Sequence, residues 1–86
     1  MKKAVAVRYD EGKDRAPHVA ASGKGLVAER IIEIARRSGV PLYEDQDLVH
    51  VLAALDIDAE IPPELYRAVA EVLVYIYRLN AAHENL

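Results

Sequence analysis

The apolar residues of this 86-residue chain change period along its length. Ala4-Val5-Ala6-Val7-Arg8-Tyr9 is rich in β-formers and runs into the turn-forming Asp10-Glu11-Gly12-Lys13-Asp14. A second extended piece spans roughly His18 to Ser22, and Pro17 favours extended backbone in the residue before it. These segments predict an antiparallel hairpin with a polar tip. From about Gly25 to Ser38 the period becomes helical, with Val27, Ile31, Ile34 and Ala35 on the expected inner face. Glu33 and Arg37 sit four apart with the acid first, Arg36 and Arg37 suit the negative end of the helix dipole, and Gly39 supplies a left-handed stop. Val40-Pro41-Leu42-Tyr43 reads as a short third strand, at an edge because Pro41 lacks an N–H, which completes a right-handed βαβ crossover. A second helix is expected from about Asp45 to Leu55, capped by Asp45 or Glu44, with Leu48, Val51, Leu52 and Leu55 inward. Asp56–Glu60 is a polar connection, and Pro62-Pro63 opens a last helix reaching Leu79 or Asn80. The pattern predicts one α/β domain over residues 1–86: a small mixed sheet of about three strands packed with three helices, its ends frayed at 1–3 and 81–86.

The last helix carries two apolar stripes. Leu65, Val69, Val72, Ile76 and Leu79 form a core stripe, and Tyr66, Ala70, Leu73 and Tyr77 form a second one turned about 110° from it. Together they span about half the circumference, more than the ~100° arc that a single core-facing stripe requires. Either another element covers the second stripe, or it presents a groove to a partner.

Composition narrows the function classes. A domain this small buries only about 60–65% of its unfolded surface, so most of its apolar residues are needed inside; 52% hydrophobic residues suffice for that and exclude intrinsic disorder. The absence of cysteine removes disulfide and thiol chemistry. No stretch approaches the roughly 20 apolar residues of a membrane span, and the run after Met1-Lys2-Lys3 is too short for a signal-peptide core. A net charge of -3, with eleven basic residues scattered along the chain, argues against a nucleic-acid partner.

Candidate chemistry is sparse. His18, His50 and His83 have no second ligand at helical spacing and no cysteine to complete a zinc site, so surface roles are expected for His50 and His83. Ser22 and Ser38 lack a nucleophile elbow. Gly23-Lys24-Gly25 lies where phosphate loops occur but lacks their spacing and their Lys-Ser/Thr ending, so a close-packed helix start is the better reading. Asp10, Glu11 and Asp14 lack the spacing of a calcium loop. No catalytic constellation and no cofactor site is expected.

The segments AVAVRYDEGKDRAPHVAASGKGLVAERIIEIARRSGVPLYED and IPPELYRAVAEVLVYIYRL resemble the cytoplasmic domain of the FlhB/YscU family of flagellar and type III secretion switch proteins. In that family an Ala-Val-Ala strand, Tyr-Asp-Glu-Gly, Ala-Pro, Lys-Gly-x-Gly-Leu, Val-Pro and a late Ile-Pro-x-x-Leu-Tyr helix follow in the same order. The resemblance covers about Ala4 to Leu79. It departs at the start: the family's self-cleaving Asn-Pro-Thr-His precedes the Ala-Val-Ala strand, whereas Met1-Lys2-Lys3 stands there, and no Asn-Pro peptide occurs anywhere. The chain thus looks like the family's downstream cleavage product made directly as a short protein.

The resemblance implies a non-enzymatic, cytoplasmic binding module, peripheral to the membrane export gate, that contributes to export-substrate recognition or to switching between substrate classes. Its implied partners are export substrates or other apparatus proteins, with the chain a monomer or weak dimer. Matching the family's substrate-recognition surface by motif selects Ala16, Pro17, Ala70 and Leu73. A second role is open: without the family's preceding strand, the hairpin can expose an edge that pairs with another export-apparatus chain.

Overall fold

The computed structural model describes residues 1–10 and 12–84. Strands β1 (Lys3–Arg8) and β2 (His18–Lys24) form the expected antiparallel hairpin. Pairing runs from Lys3 opposite Lys24 to Arg8 opposite His18, and a bulge at Ala20 shifts the register between Ala6 and Val7. Such an extra residue bends its strand and sharpens the local twist. Asp10 closes the hairpin tip, its carbonyl accepting from Lys13 (3.0 Å) and Asp14 (2.7 Å). Glu11, within the expected acidic turn, lies outside the described residues, as do residues 85 and 86 of the expected frayed end.

Helix α1 (Leu26–Arg37) starts from Gly25, whose φ of 58° suits glycine. It stops in a Schellman arrangement: Gly39 N–H donates to the Arg36 carbonyl (3.3 Å) and Val40 N–H to that of Ala35 (2.8 Å), with Gly39 at φ 71°. The inner face is turned from the expected one. Ala28 is fully buried, and Ile31, Ile32 and Ala35 are half-buried, while Val27 and Ile34 are exposed. The reason is close approach: Gly23 of β2 abuts Val27, and the small Ala28 faces inward where the helix lies against the hairpin.

The mixed α/β class with three helices holds, but the third strand and its βαβ crossover do not form. Among the described residues the sheet has two strands. Val40–Tyr43 carries no strand pairing: Val40 spends its N–H on α1's end, Pro41 has none, and among the described residues no strand pairs with it. Instead the connection after the second helix reaches β2. Val19 N–H donates to Ala59 O (3.0 Å), Asp58 N–H to Val19 O (2.7 Å) and Ile61 N–H to Pro17 O (2.8 Å), with an isolated bridge between His18 and Glu60. Asp58 takes a positive φ of 70° to make that approach.

Helix α2 (Gln46–Leu52) is capped by the Asp45 carboxylate, which accepts from Asp47 (3.1 Å) and Leu48 (3.0 Å) backbone N–H groups. It ends one turn before the expected Leu55, and Val51, expected inside, is exposed. Pro63–Leu65 forms a single 3₁₀ turn leading into α3 (Tyr66–Glu84). The centre of the molecule is the cluster Val19, Leu52, Ile61 and Val69, with Val5, Leu48, Leu55 and Leu65 packed against it. Val69, 4% exposed, is the one buried side chain of α3 among the described residues. The helix is therefore anchored near its start, and its later turns present a large surface.

Candidate protein-binding surface and cleft

The exposed side of α3 answers the question left open by its two stripes. Leu65, Val72 and Ile76 of the first stripe are half-buried around Val69. On the second, Tyr66, Ala70, Leu73 and Tyr77 are all exposed, Tyr77 to 76%. Val74 extends this surface, whereas Tyr75 and Leu79 are exposed on another side of the helix. No described element covers the second stripe, so it is an exposed apolar face rather than a second core face.

The four site residues expected from sequence fall into two pieces. Ala70 and Leu73 lie on the outward side of α3. Pro17 is half-buried at the entry to β2, and Ala16 is only 3% exposed, so it supports the turn from below. Ile61 links the pieces. Its N–H donates to Pro17 O, and its fully buried side chain belongs to the same cluster as Val69, the neighbour of Ala70. That link was not visible in the sequence, because Ile61 stands there between a polar connection and the prolines that open the last helix.

A separate apolar cleft of about 190 Å³ opens between the hairpin and the helices. Val5, Ala6 and Val7 form one wall, Val40 to Tyr43 contribute another, and Leu48, Leu52, Val72 and Leu73 are among the residues lining the rest. Tyr43 meets Tyr75 edge to face, with ring centroids 5.2 Å apart, which ties the 40–43 segment to α3. Of the four sequence-derived residues only Leu73 reaches this cleft. Sequence reasoning missed it because its lining comes from five separated segments. The one available signal was the apolar Val40–Tyr43 run, read as a strand.

The polar groups do not assemble a reaction centre. Among the described residues no charged side chain is buried, and no three His, Asp or Glu side chains converge. His50 Nδ1 lies 2.6 Å from Lys3 Nζ in an exposed pair. His18 Nδ1 is buried without a hydrogen-bond partner, with Asp14 4.0 Å away. The Gly25 N–H, which a phosphate loop would aim at a ligand, donates to Lys2 O (2.7 Å). No helix among the described residues is long and apolar enough to cross a membrane.

Comparison with known proteins places these features in a lineage. A model of the family described as FlhB HrpN YscU SpaS matches residues 1–76. The chain is 48% identical to YlqH of Bacillus subtilis (strain 168) over 85 residues, covering 99% of this chain and 91% of that protein. It is 47% identical to the flagellar biosynthetic protein FlhB of Escherichia coli (strain K12) over 77 residues, covering 88% of this chain but only 20% of that protein. The crystal structure of the cytoplasmic domain of FlhB from Shewanella putrefaciens superposes with a TM-score of 0.90 at 33% identity, covering 96% of this chain and 69% of that one.

Proposed function

Since the chain belongs to the FlhB HrpN YscU SpaS family, we propose that it is a non-catalytic protein-binding module of a flagellar or type III export apparatus. In this reading it works in the cytoplasm beside the membrane export gate and contributes to recognising export substrates or to switching between substrate classes. The carrying observation is the exposed stripe of Ala70, Leu73 and Tyr77 on α3. A face of this kind gains affinity by removing apolar surface from water, and it discriminates against segments that would place an unpaired charge there. Pro17, Ala70 and Leu73 are the proposed contacts, with Ala16 holding the turn.

Ala70→Glu tests the proposal. Because Ala70 is exposed, the substitution should alter stability by no more than about 0.5 kcal/mol. Titration of purified export substrates of the source bacterium should show binding weakened about tenfold or more, equivalent to about 1.4 kcal/mol. Unchanged binding with an intact thermal melt dismisses this surface as the site.

A second reading, in which the module pairs through a sheet edge with another apparatus chain, is favoured by β1. None of its backbone groups from Lys3 to Arg8 bonds to anything beyond β2 among the described residues.

A further inference from the structure

The cleft beside β1 has a lining pattern that identifies the shape of its occupant. Side chains of successive strand residues point to opposite faces of a sheet. Val5, Ala6 and Val7 are consecutive, yet all three line the cleft, so it runs along the edge of β1 and not over one face. Val40, Pro41, Leu42 and Tyr43 are also consecutive and line it together. Two stretches of backbone therefore border the same cleft edge-on. Neither satisfies its groups there: β1 has no partner beyond β2, and the N–H groups of Leu42 and Tyr43 donate to no backbone carbonyl among the described residues. On the other edge of the hairpin Val19 at the start of β2 already exchanges backbone bonds with Asp58 and Ala59. Beside the cleft, β1 thus keeps its outward backbone groups unpaired by any described backbone group.

The cleft volume adds a side-chain requirement. A cavity of about 150 Å³ takes a benzene-sized group, so about 190 Å³ takes one aromatic or large aliphatic side chain. We propose that the cleft receives an extended segment of another polypeptide chain, which pairs with the outer edge of β1 and buries one large apolar side chain against Leu48, Leu52 and Val72. Main-chain hydrogen bonds supply affinity in this mode, and the alternate side chain that enters the pocket supplies selectivity. This rests on the sheet-edge reading and specifies its partner chemistry. A second folded copy is a poorer occupant, since the 40–43 segment borders the cleft that a whole sheet would have to enter.

The test selects random displayed heptapeptides against the intact chain, then measures amide exchange and affinity with the synthesised winners. Enriched peptides should carry a large apolar residue flanked by alternating positions, and should protect amides within residues 3–8 and 40–44. N-methylation of the peptide amides in one alternate register should weaken binding about tenfold or more, and in the other register much less. Leu42→Asp should weaken binding to a similar degree, whereas Leu26→Asp, on an α1 residue 83% exposed and outside the cleft, should not. Ala70→Glu should leave peptide binding unaltered, so loss of substrate recognition at α3 and failure of the cleft are read separately. The inference is overturned if no peptide is enriched, if protection falls on α3 alone, or if both methylation registers are tolerated. It is equally overturned if sedimentation at rising concentration shows a dimer that protects the same β1 amides, because the occupant is then a second copy. Should Leu42→Asp unfold by circular dichroism, the methylation and exchange results decide the matter.

Discussion

Gly23→Ala tests how closely α1 is set against the hairpin. A Cβ built on Gly23 would overlap Val27 Cγ1, lie 2.7 Å from Val27 Cβ and lie 3.3 Å from its backbone carbon. Carbon atoms attract best at about 3.5–4.0 Å, so the Cβ contact is short by about 1 Å. A change of χ1 would move Cγ1 away, at the cost of leaving the one rotamer a helical valine prefers. Val27 Cβ can retreat only if the helix moves, and Ala28, fully buried beside it, resists that. Overpacking of this kind costs about 1–3 kcal/mol. Gly23 does not hold a left-handed conformation, so alanine also narrows the unfolded ensemble, an offset of about 0.4–1 kcal/mol. The expected net loss is about 1–2 kcal/mol, and for a domain of this size each kcal/mol lowers Tm by about 4–8 °C. Urea denaturation of Gly23→Ala, Val27→Ala and the double variant measures it. Val27→Ala removes the Cγ1 overlap and leaves the Cβ contact, so a coupling of about 0.5–1 kcal/mol should appear in the double-mutant cycle. A stabilised Gly23→Ala, or additivity within about 0.3 kcal/mol, would refute the close approach and with it the reason given for the rotated face of α1.

Val69→Ala should cost about 1–4 kcal/mol in denaturant melts, and Ile31→Ala less, because Val69 belongs to the central cluster while Ile31 is only half-buried; a larger loss at Ile31 would reverse that ranking. Asp45→Ala removes the acceptor of two α2 backbone N–H groups and should cost about 0.5–2 kcal/mol, whereas Asp47→Ala, one of the donors to it, should leave the cap intact. The chain contains no Asn-Pro bond, so intact-mass measurement after prolonged incubation at neutral pH should show one full-length species. A defined internal break accumulating in protease-free samples would contradict that expectation.

The family resemblance was legible because its motifs lie in order along nearly the whole chain, and the same local signals mark most elements. The β-formers of Ala4–Tyr9, the Asp45 cap, the Gly39 stop and the opening prolines of the last helix act over a few residues. The second α3 stripe was also legible, since helical spacing alone places Tyr66, Ala70, Leu73 and Tyr77 together, but its exposure was not.

What only the tertiary structure decided depends on which distant segments meet. Val40–Tyr43 has the apolar character of a strand, but a strand needs a bonded neighbour, and none stands beside it among the described residues. The inner face of α1 depends on how near Gly23 and Ala28 let the helix come, a three-dimensional fit that periodicity averages away. The polar stretch 56–60 docks on Val19 at the start of β2 through backbone groups, which leave no trace in side-chain pattern. The burial of Ala16 and the cleft beside β1 arise in the same way. The chain's own residues determine where it turns, caps and coils, because those choices are local; which faces become core, edge or cleft is set by close packing among segments remote in sequence.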